Sequence, residues 1–163
     1  MGVGKTTIGK ALAKNLVLEF IDSDREIEDR TGVSIMTIFD IEGISRFRDR
    51  EVQVISEMTK RRGIVLATGG GAILRSENRL ALRNNGLVVY LHATVEMQMQ
   101  RTRNTDNRPL LQNANPKIVL EELMAEREPL YRQEADIVYI TDKRSPQVAA
   151  DEIASEVREK WQS

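Results

Sequence analysis

The stretch Gly2-Val3-Gly4-Lys5-Thr6-Thr7 runs directly into Ile8, Ala11, Leu12 and Leu16, which recur at helical spacing. Gly4-Lys5-Thr6 matches the end of the phosphate-binding pattern G-x-x-x-x-G-K-[ST]. In that pattern backbone N–H groups and a helix opening cradle phosphates, the lysine reaches the β- and γ-phosphates, and the hydroxyl binds Mg²⁺. Any basic helix can begin with the same tripeptide, but here the apolar stripe starts where a phosphate-loop helix should. The pattern's leading glycine falls ahead of Met1, and so does the strand that would deliver the chain into the loop. The expectation is therefore a parallel sheet whose central first strand is absent from this chain, with ladder hydrogen bonds missing on both sides of it.

Further along, short apolar runs alternate with helical patterns. Strands are expected at Glu19 to Asp22, Ile64 to Ala67, Leu87 to Leu91 and Ile137 to Ile140. The Ile64 run, uninterrupted by polar residues, reads as a strand buried on both faces. Between them, helices are expected from Asp24 to Arg30, from Ser34 to Ile41, and after a break at Gly43 along the stripe Phe47, Glu51, Ile55 and Met58 to Arg62. More follow from Ser76 to Arg83, from Thr94 to Arg103, from Asn115-Pro116 to Ala135, and after Ser145-Pro146, where Ala149, Ile153, Val157 and Trp161 share one face. Lys60-Arg61-Arg62 reads as a helix end complementing its dipole. This alternation implies right-handed crossovers and an α/β fold in three layers, α/β/α, around a parallel sheet.

Composition narrows the function. A chain of 163 residues is the size of one domain. Its net charge of −1 with 30% charged residues gives no basic field for nucleic acid and no acidic tail. The absence of cysteine excludes disulfides and thiol catalysis, and no apolar run approaches the ~20 residues of a membrane span. We expect a cytoplasmic monomer that works on small molecules, with no nucleic acid or membrane partner.

Three further motifs carry chemistry. Asp22-Ser23-Asp24 ends an extended segment, where residues i and i+2 point to one side, so two carboxylates are expected at the edge where open α/β sheets bind ligands. One can hold a metal and the other accept a hydroxyl proton; a solvated turn with a helix cap is the plain alternative. Gly69-Gly70-Gly71 permits positive φ and close approach of a ligand to the backbone. Arg48 and Arg127 are not distinguishable by spacing from surface charges. His92, the only histidine, follows a buried strand and reads as structural.

Taken in order, Gly4-Lys5-Thr6, Asp22-Ser23-Asp24, Phe47-Arg48, Gly69-Gly70-Gly71, Arg108-Pro109-Leu110-Leu111 and Arg127-Glu128-Pro129-Leu130-Tyr131 resemble bacterial shikimate kinase across essentially the whole chain. The resemblance implies a P-loop small-molecule kinase that transfers the γ-phosphate of ATP to the 3-hydroxyl of shikimate. Gly2, Val3, Gly4, Lys5, Thr6 and Thr7 would bind ATP, with Thr6 and Asp22 on Mg²⁺. Asp24 would bind the acceptor hydroxyl and act as base, while Lys5 and Arg108 complete the catalytic group. Arg48 and Arg127 would grip the substrate carboxylate, and Gly70 would donate its N–H to the substrate. Arg101 and Arg144 would lie near adenine. The resemblance also implies a single domain over residues 1–163, with a lid at about 104–115 and a substrate-binding helical region at about 24–62. Competing readings are a gluconate kinase-like enzyme and a truncated, non-catalytic ligand-binding relative.

Overall fold

Short strands of four residues each alternate with helices. The computed structural model describes residues 2–102, 115–141 and 144–162. Within them, α1 spans Lys5–Leu16, β1 Glu19–Asp22, α2 Ser23–Thr31 and α3 Ile35–Met58. β2 follows at Ile64–Ala67, a single 3₁₀ turn at Ala72–Leu74, α4 at Ser76–Asn85, β3 at Val89–His92 and α5 at Val95–Thr102. α6 spans Pro116–Glu134, β4 Ile137–Ile140 and α7 Pro146–Gln162.

The caps follow local chemistry. Ser34 accepts the Thr37 N–H at the start of α3, Asn115 accepts the Lys117 N–H at the start of α6, and Thr94 accepts the Met97 N–H ahead of α5. Thr31-Gly32 ends α2, with Gly32 in the left-handed conformation.

All pairing is parallel. β1 pairs with β2 from Glu19 opposite Ile64 to Asp22 opposite Ala67, and β3 pairs with β4 from Val89 opposite Ile137 to His92 opposite Ile140. The described strands thus form two parallel pairs rather than one continuous ladder. β2 and β3 face each other across an apolar cavity of about 200 Å³, lined there by Val65, Leu66, Val89 and Leu91 with Ile8 and Leu12 of α1. This cavity lies between the two inner strands, in the middle of the layer. It also accounts for a departure from expectation: β2 is half-buried along its whole length rather than buried on both faces.

Two apolar clusters hold the pairs. Ile8 and Leu12 of α1 meet Ile137 and Tyr139 of β4 and the Ala149, Ala150, Ile153, Ala154, Val157 face of α7. On the other side, Ile21 of β1 packs with Ile27 of α2 and with Ile38, Phe47, Val54 and Met58 of α3. The α7 face ends at Val157: Trp161, expected on it, is 58% exposed one turn further on. Lys60-Arg61-Arg62 also falls outside a helix, since α3 stops at Met58, and Arg61 pairs with Glu19 of β1 at 2.6 Å.

The break expected at Gly43 is present as a bend inside α3, with φ 81° and ψ 168°, a region only glycine occupies readily. It separates the Ile35 arm from the arm carrying Phe47, Arg48 and Glu51. We predict that Gly43→Ala lowers unfolding free energy in urea by about 1–3 kcal/mol; an unchanged midpoint and slope would show that the bend tolerates a side chain.

Candidate active site

The strand-to-helix turn after β1 places the first carboxylates. Asp22 ends β1 and α2 begins at Ser23. One Asp22 oxygen, Oδ1, caps the new helix, accepting the N–H of Asp24 at 3.0 Å and of Arg25 at 3.4 Å. The other, Oδ2, accepts the Thr6 hydroxyl at 3.2 Å. The helix-cap reading of Asp22 therefore holds, on Oδ1, while Oδ2 meets Thr6. The strand-alternation argument for Asp24 does not, because Asp24 belongs to the first turn of α2; the helix start, rather than the pleat, brings it beside Lys5, whose positive charge it feels.

α1 opens at Gly4, whose φ of 89° and ψ of 21° let the loop turn into the helix with no side-chain cap. The Ile8 N–H closes the first helical bond to the Gly4 carbonyl at 2.9 Å. The first-turn N–H groups have no intrahelical acceptor, which leaves a positive end suited to phosphate.

The positive φ expected at the three glycines is not what they supply. None of Gly69, Gly70 and Gly71 has a positive φ. What they provide is space. A Cβ on Gly69 would sit 2.9 Å from an Asp24 oxygen and 3.0 Å from a Glu51 oxygen. One on Gly70 would lie 3.3 Å from the Tyr131 hydroxyl and 3.6 Å from Arg127 Nη1, and one on Gly71 would overlap the Arg48 guanidinium. Each missing side chain thus makes room for a different polar group. The turn is tied down by the Ser23 hydroxyl, which accepts the Gly69 N–H at 3.4 Å, and by the Tyr131 hydroxyl, which donates to the Gly70 carbonyl.

The charges around this turn are buried. Glu51 is fully buried and bonds Arg48 at 2.7 Å, and the Arg48 guanidinium lies 5.2 Å from the centre of the Phe47 ring. Burial pushes the Glu51 carboxyl up from its ordinary range against the opposing pull of Arg48. Burial likewise raises Asp24, helped by the neighbouring Asp22 charge and opposed by Lys5 and Arg48. Asp24 Oδ1, Glu51 Oε1 and Arg127 Nε are buried without a hydrogen-bond partner. Arg127 Nε has its nearest carboxylate, Glu126, at 3.6 Å. Polar atoms of both signs are thus left for a ligand to satisfy.

Several residues expected to bind the nucleotide gather around a second cavity. Gly4, Thr7, Arg101 and Arg144 line one cavity of about 500 Å³ together with Val3. Arg101 donates to the Gly2 carbonyl at 3.3 Å and to the Thr141 hydroxyl at 3.2 Å, while Arg144 pairs with Glu152 at 2.8 Å and lies over the Tyr139 ring. Lys5 lines the first cavity with Gly69, Gly70, Arg127 and Tyr131, so the phosphate loop separates the two spaces. Arg108 and the expected lid, apart from Asn115, lie outside the described residues. His92 stays outside the site, 3.6 Å from Glu128, with its carbonyl bonded to Thr141, as a structural residue would be.

Thr6 and Asp22 supply one hydroxyl and one carboxylate oxygen. Among the described residues no group of three His, Asp or Glu side chains could enclose a metal ion. The donor set fits Mg²⁺, which keeps several waters and shares phosphate oxygens with its substrate.

Sequence reasoning missed Ser23, Glu51 and Tyr131 as site residues. Glu51 left a signal: it sits on the apolar stripe of α3, three residues after Arg48, where a carboxylate needs a buried cation.

Comparison with known proteins places these features in a family. A family profile described as Shikimate kinase matches residues 1–158. A protein named Shikimate kinase from Pseudomonas syringae pv. syringae is 57% identical over 159 residues, covering 98% of this chain and 92% of its own. Among solved structures, shikimate kinase from Acinetobacter baumannii in complex with shikimate superposes with a TM-score of 0.95 at 47% identity, covering 98% of this chain and 89% of that one. Shikimate kinase from Bacteroides thetaiotaomicron superposes with a TM-score of 0.86 at 28% identity, covering 100% and 94%.

Burial of Asp24 predicts a stability cost at neutral pH. A carboxyl whose folded pKa is raised adds stability below its unfolded pKa, near 3.8, and loses it as pH rises through the folded value. Asp24→Asn is therefore expected to raise Tm at pH 7, each kcal/mol of relief appearing as about 2–4 °C in a chain of this size. The gain should shrink toward pH 3.8. A lower Tm at pH 7 would mean that the ionised carboxylate is well solvated or well paired.

Proposed function

The chain belongs to the shikimate kinase family, and we propose that it transfers the γ-phosphoryl group of ATP to the 3-hydroxyl of shikimate. The observation that carries this reading is the convergence of Asp24, Arg48 and Arg127 on the three glycines beside Lys5. A substrate with one carboxylate and ring hydroxyls matches that set of charges, since guanidinium groups clamp a carboxylate and a carboxylate accepts a hydroxyl proton.

In this reading Arg48 and Arg127 take the shikimate carboxylate and Gly70 donates its N–H to the substrate. Glu51 holds the Arg48 guanidinium in place from behind. Asp24, made more basic by burial, accepts the proton of the 3-hydroxyl. The hydroxyl oxygen forms its bond to the γ-phosphorus as the bond to the β,γ-bridging oxygen breaks, and ADP leaves with that electron pair. Lys5 and the first-turn N–H groups of α1 hold the phosphates, with Gly2, Val3, Gly4, Thr7, Arg101 and Arg144 bounding the nucleotide. Thr6 and Asp22 would hold Mg²⁺, which when bound neutralises charge on the phosphates. The proposal extends to a monomer acting in the cytoplasm.

A coupled assay for ADP release tests the reading, with shikimate and gluconate as alternative acceptors. Saturable turnover of shikimate and none of gluconate is expected; turnover of gluconate alone would overturn it. Arg127→Ala should raise the shikimate KM by roughly two orders of magnitude while the ATP KM stays within about twofold. Equal effects on both substrates would argue against carboxylate recognition. Gly71→Ala, whose Cβ would overlap the Arg48 guanidinium, should raise the shikimate KM about tenfold, together with a lower Tm from disturbing the buried Arg48–Glu51 pair. A large fall in Tm with an unaltered KM would show that the position serves folding instead.

A further inference from the structure

Tyr131 lies one helical turn beyond Arg127 on α6, so both side chains leave the same face of the helix. Its hydroxyl donates to the Gly70 carbonyl, and the Arg127 guanidinium lies beside the phenol: burial raises the Tyr131 pKa and the Arg127 charge opposes that rise. A Cβ on Gly70 would touch both groups. The ring is fixed from behind by Tyr90 of β3, stacked with centroids 4.8 Å apart and planes 24° from parallel. Tyr90 itself makes no hydrogen bond to the glycine turn; its hydroxyl points to Met124 Sδ at 3.9 Å.

We infer that Tyr131 is a positioning residue: a single hydroxyl, donating to Gly70 beside the Arg127 guanidinium, sets the turn and the guanidinium relative to each other for the carboxylate substrate. The inference rests on the shikimate kinase reading. A phenol oxygen suits the task because it donates one proton and still presents lone pairs to a neighbouring cation. The stacked ring allows it little freedom, so the position of the oxygen is set by β3. The consequence is selective. Without the hydroxyl, the Gly70 carbonyl loses its donor, the Arg127 guanidinium loses the phenol dipole beside it, and the peptide that presents the Gly70 N–H is free to rotate. The phosphate loop and the cavity on its far side keep all their contacts.

The test is titration calorimetry with shikimate and, separately, with ATP, together with steady-state kinetics, on wild type, Tyr131→Phe and Tyr90→Phe. Tyr131→Phe keeps the stacked ring and should fold as wild type. It is expected to weaken shikimate binding about tenfold and raise the shikimate KM to match, with ATP affinity within twofold. Tyr90→Phe should leave both affinities unchanged. In the double variant with Arg127→Lys, the two losses should combine to less than their product, since both groups meet at Gly70. Wild-type shikimate affinity in Tyr131→Phe overturns the inference and leaves the functional reading standing. So does an equal loss from Tyr90→Phe, which would assign the effect to ring packing, or a parallel loss of ATP affinity. A wild-type protein that binds no shikimate overturns both.

Discussion

Three successive residues without side chains allow buried charges of both signs to meet at the end of β2. Gly69 makes room for the Asp24 and Glu51 carboxylates, Gly70 for Tyr131 and Arg127, and Gly71 for the Arg48 guanidinium. The groups arrive from α2, α3 and α6, which share no register in sequence and are brought to one point by packing on β1 and β3. Burial of Phe47 and Met58 aims the second arm of α3, and the bend at Gly43 frees that arm from the direction of the first. The apolar core thus acts on function through direction: it decides where a few charged tips converge.

Such a site is costly to the folded protein and useful for the same reason. Isolated buried carboxylates resist ionisation, and the raised pKa of Asp24 and Glu51 reflects that desolvation. Glu51 is partly relieved by Arg48, whereas Asp24 has only more distant cations and an unpaired oxygen. A carboxylate strained in this way is a better proton acceptor than one on the surface. The unpartnered Arg127 Nε and the Glu51 and Asp24 oxygens are satisfied most directly by a ligand that brings its own carboxylate and hydroxyls.

Much of this was legible in the sequence, and the misses have physical causes. Apolar periodicity located the four strands among the described residues, and the caps at Ser34, Asn115 and Asp22 set helix starts, because those signals are local. The phosphate loop, Asp24, Arg48 and Arg127 came from motif order. The fit of side chains against the glycines did not: φ freedom and close approach of a ligand were the expectations for three in a row, whereas the structure adds the demand of side chains 18 to 61 positions away in sequence, such as Glu51 and Tyr131. Tyr131 and Ser23 escaped notice for the same reason, since a hydroxyl that bonds a distant backbone atom leaves no periodic trace. Trp161 shows the opposite error, a periodic pattern continued one turn past the core that gave it meaning.

The central claim is that the glycine turn and its surrounding charges form the acceptor site. A crystal structure of the protein with shikimate bound measures this most directly. The account predicts the carboxylate between the Arg48 and Arg127 guanidinium groups, the 3-hydroxyl within hydrogen-bond distance of Asp24, and a hydroxyl or carboxylate oxygen at the Gly70 N–H. Shikimate bound elsewhere, or turned so that its carboxylate faces Asp24, would contradict it.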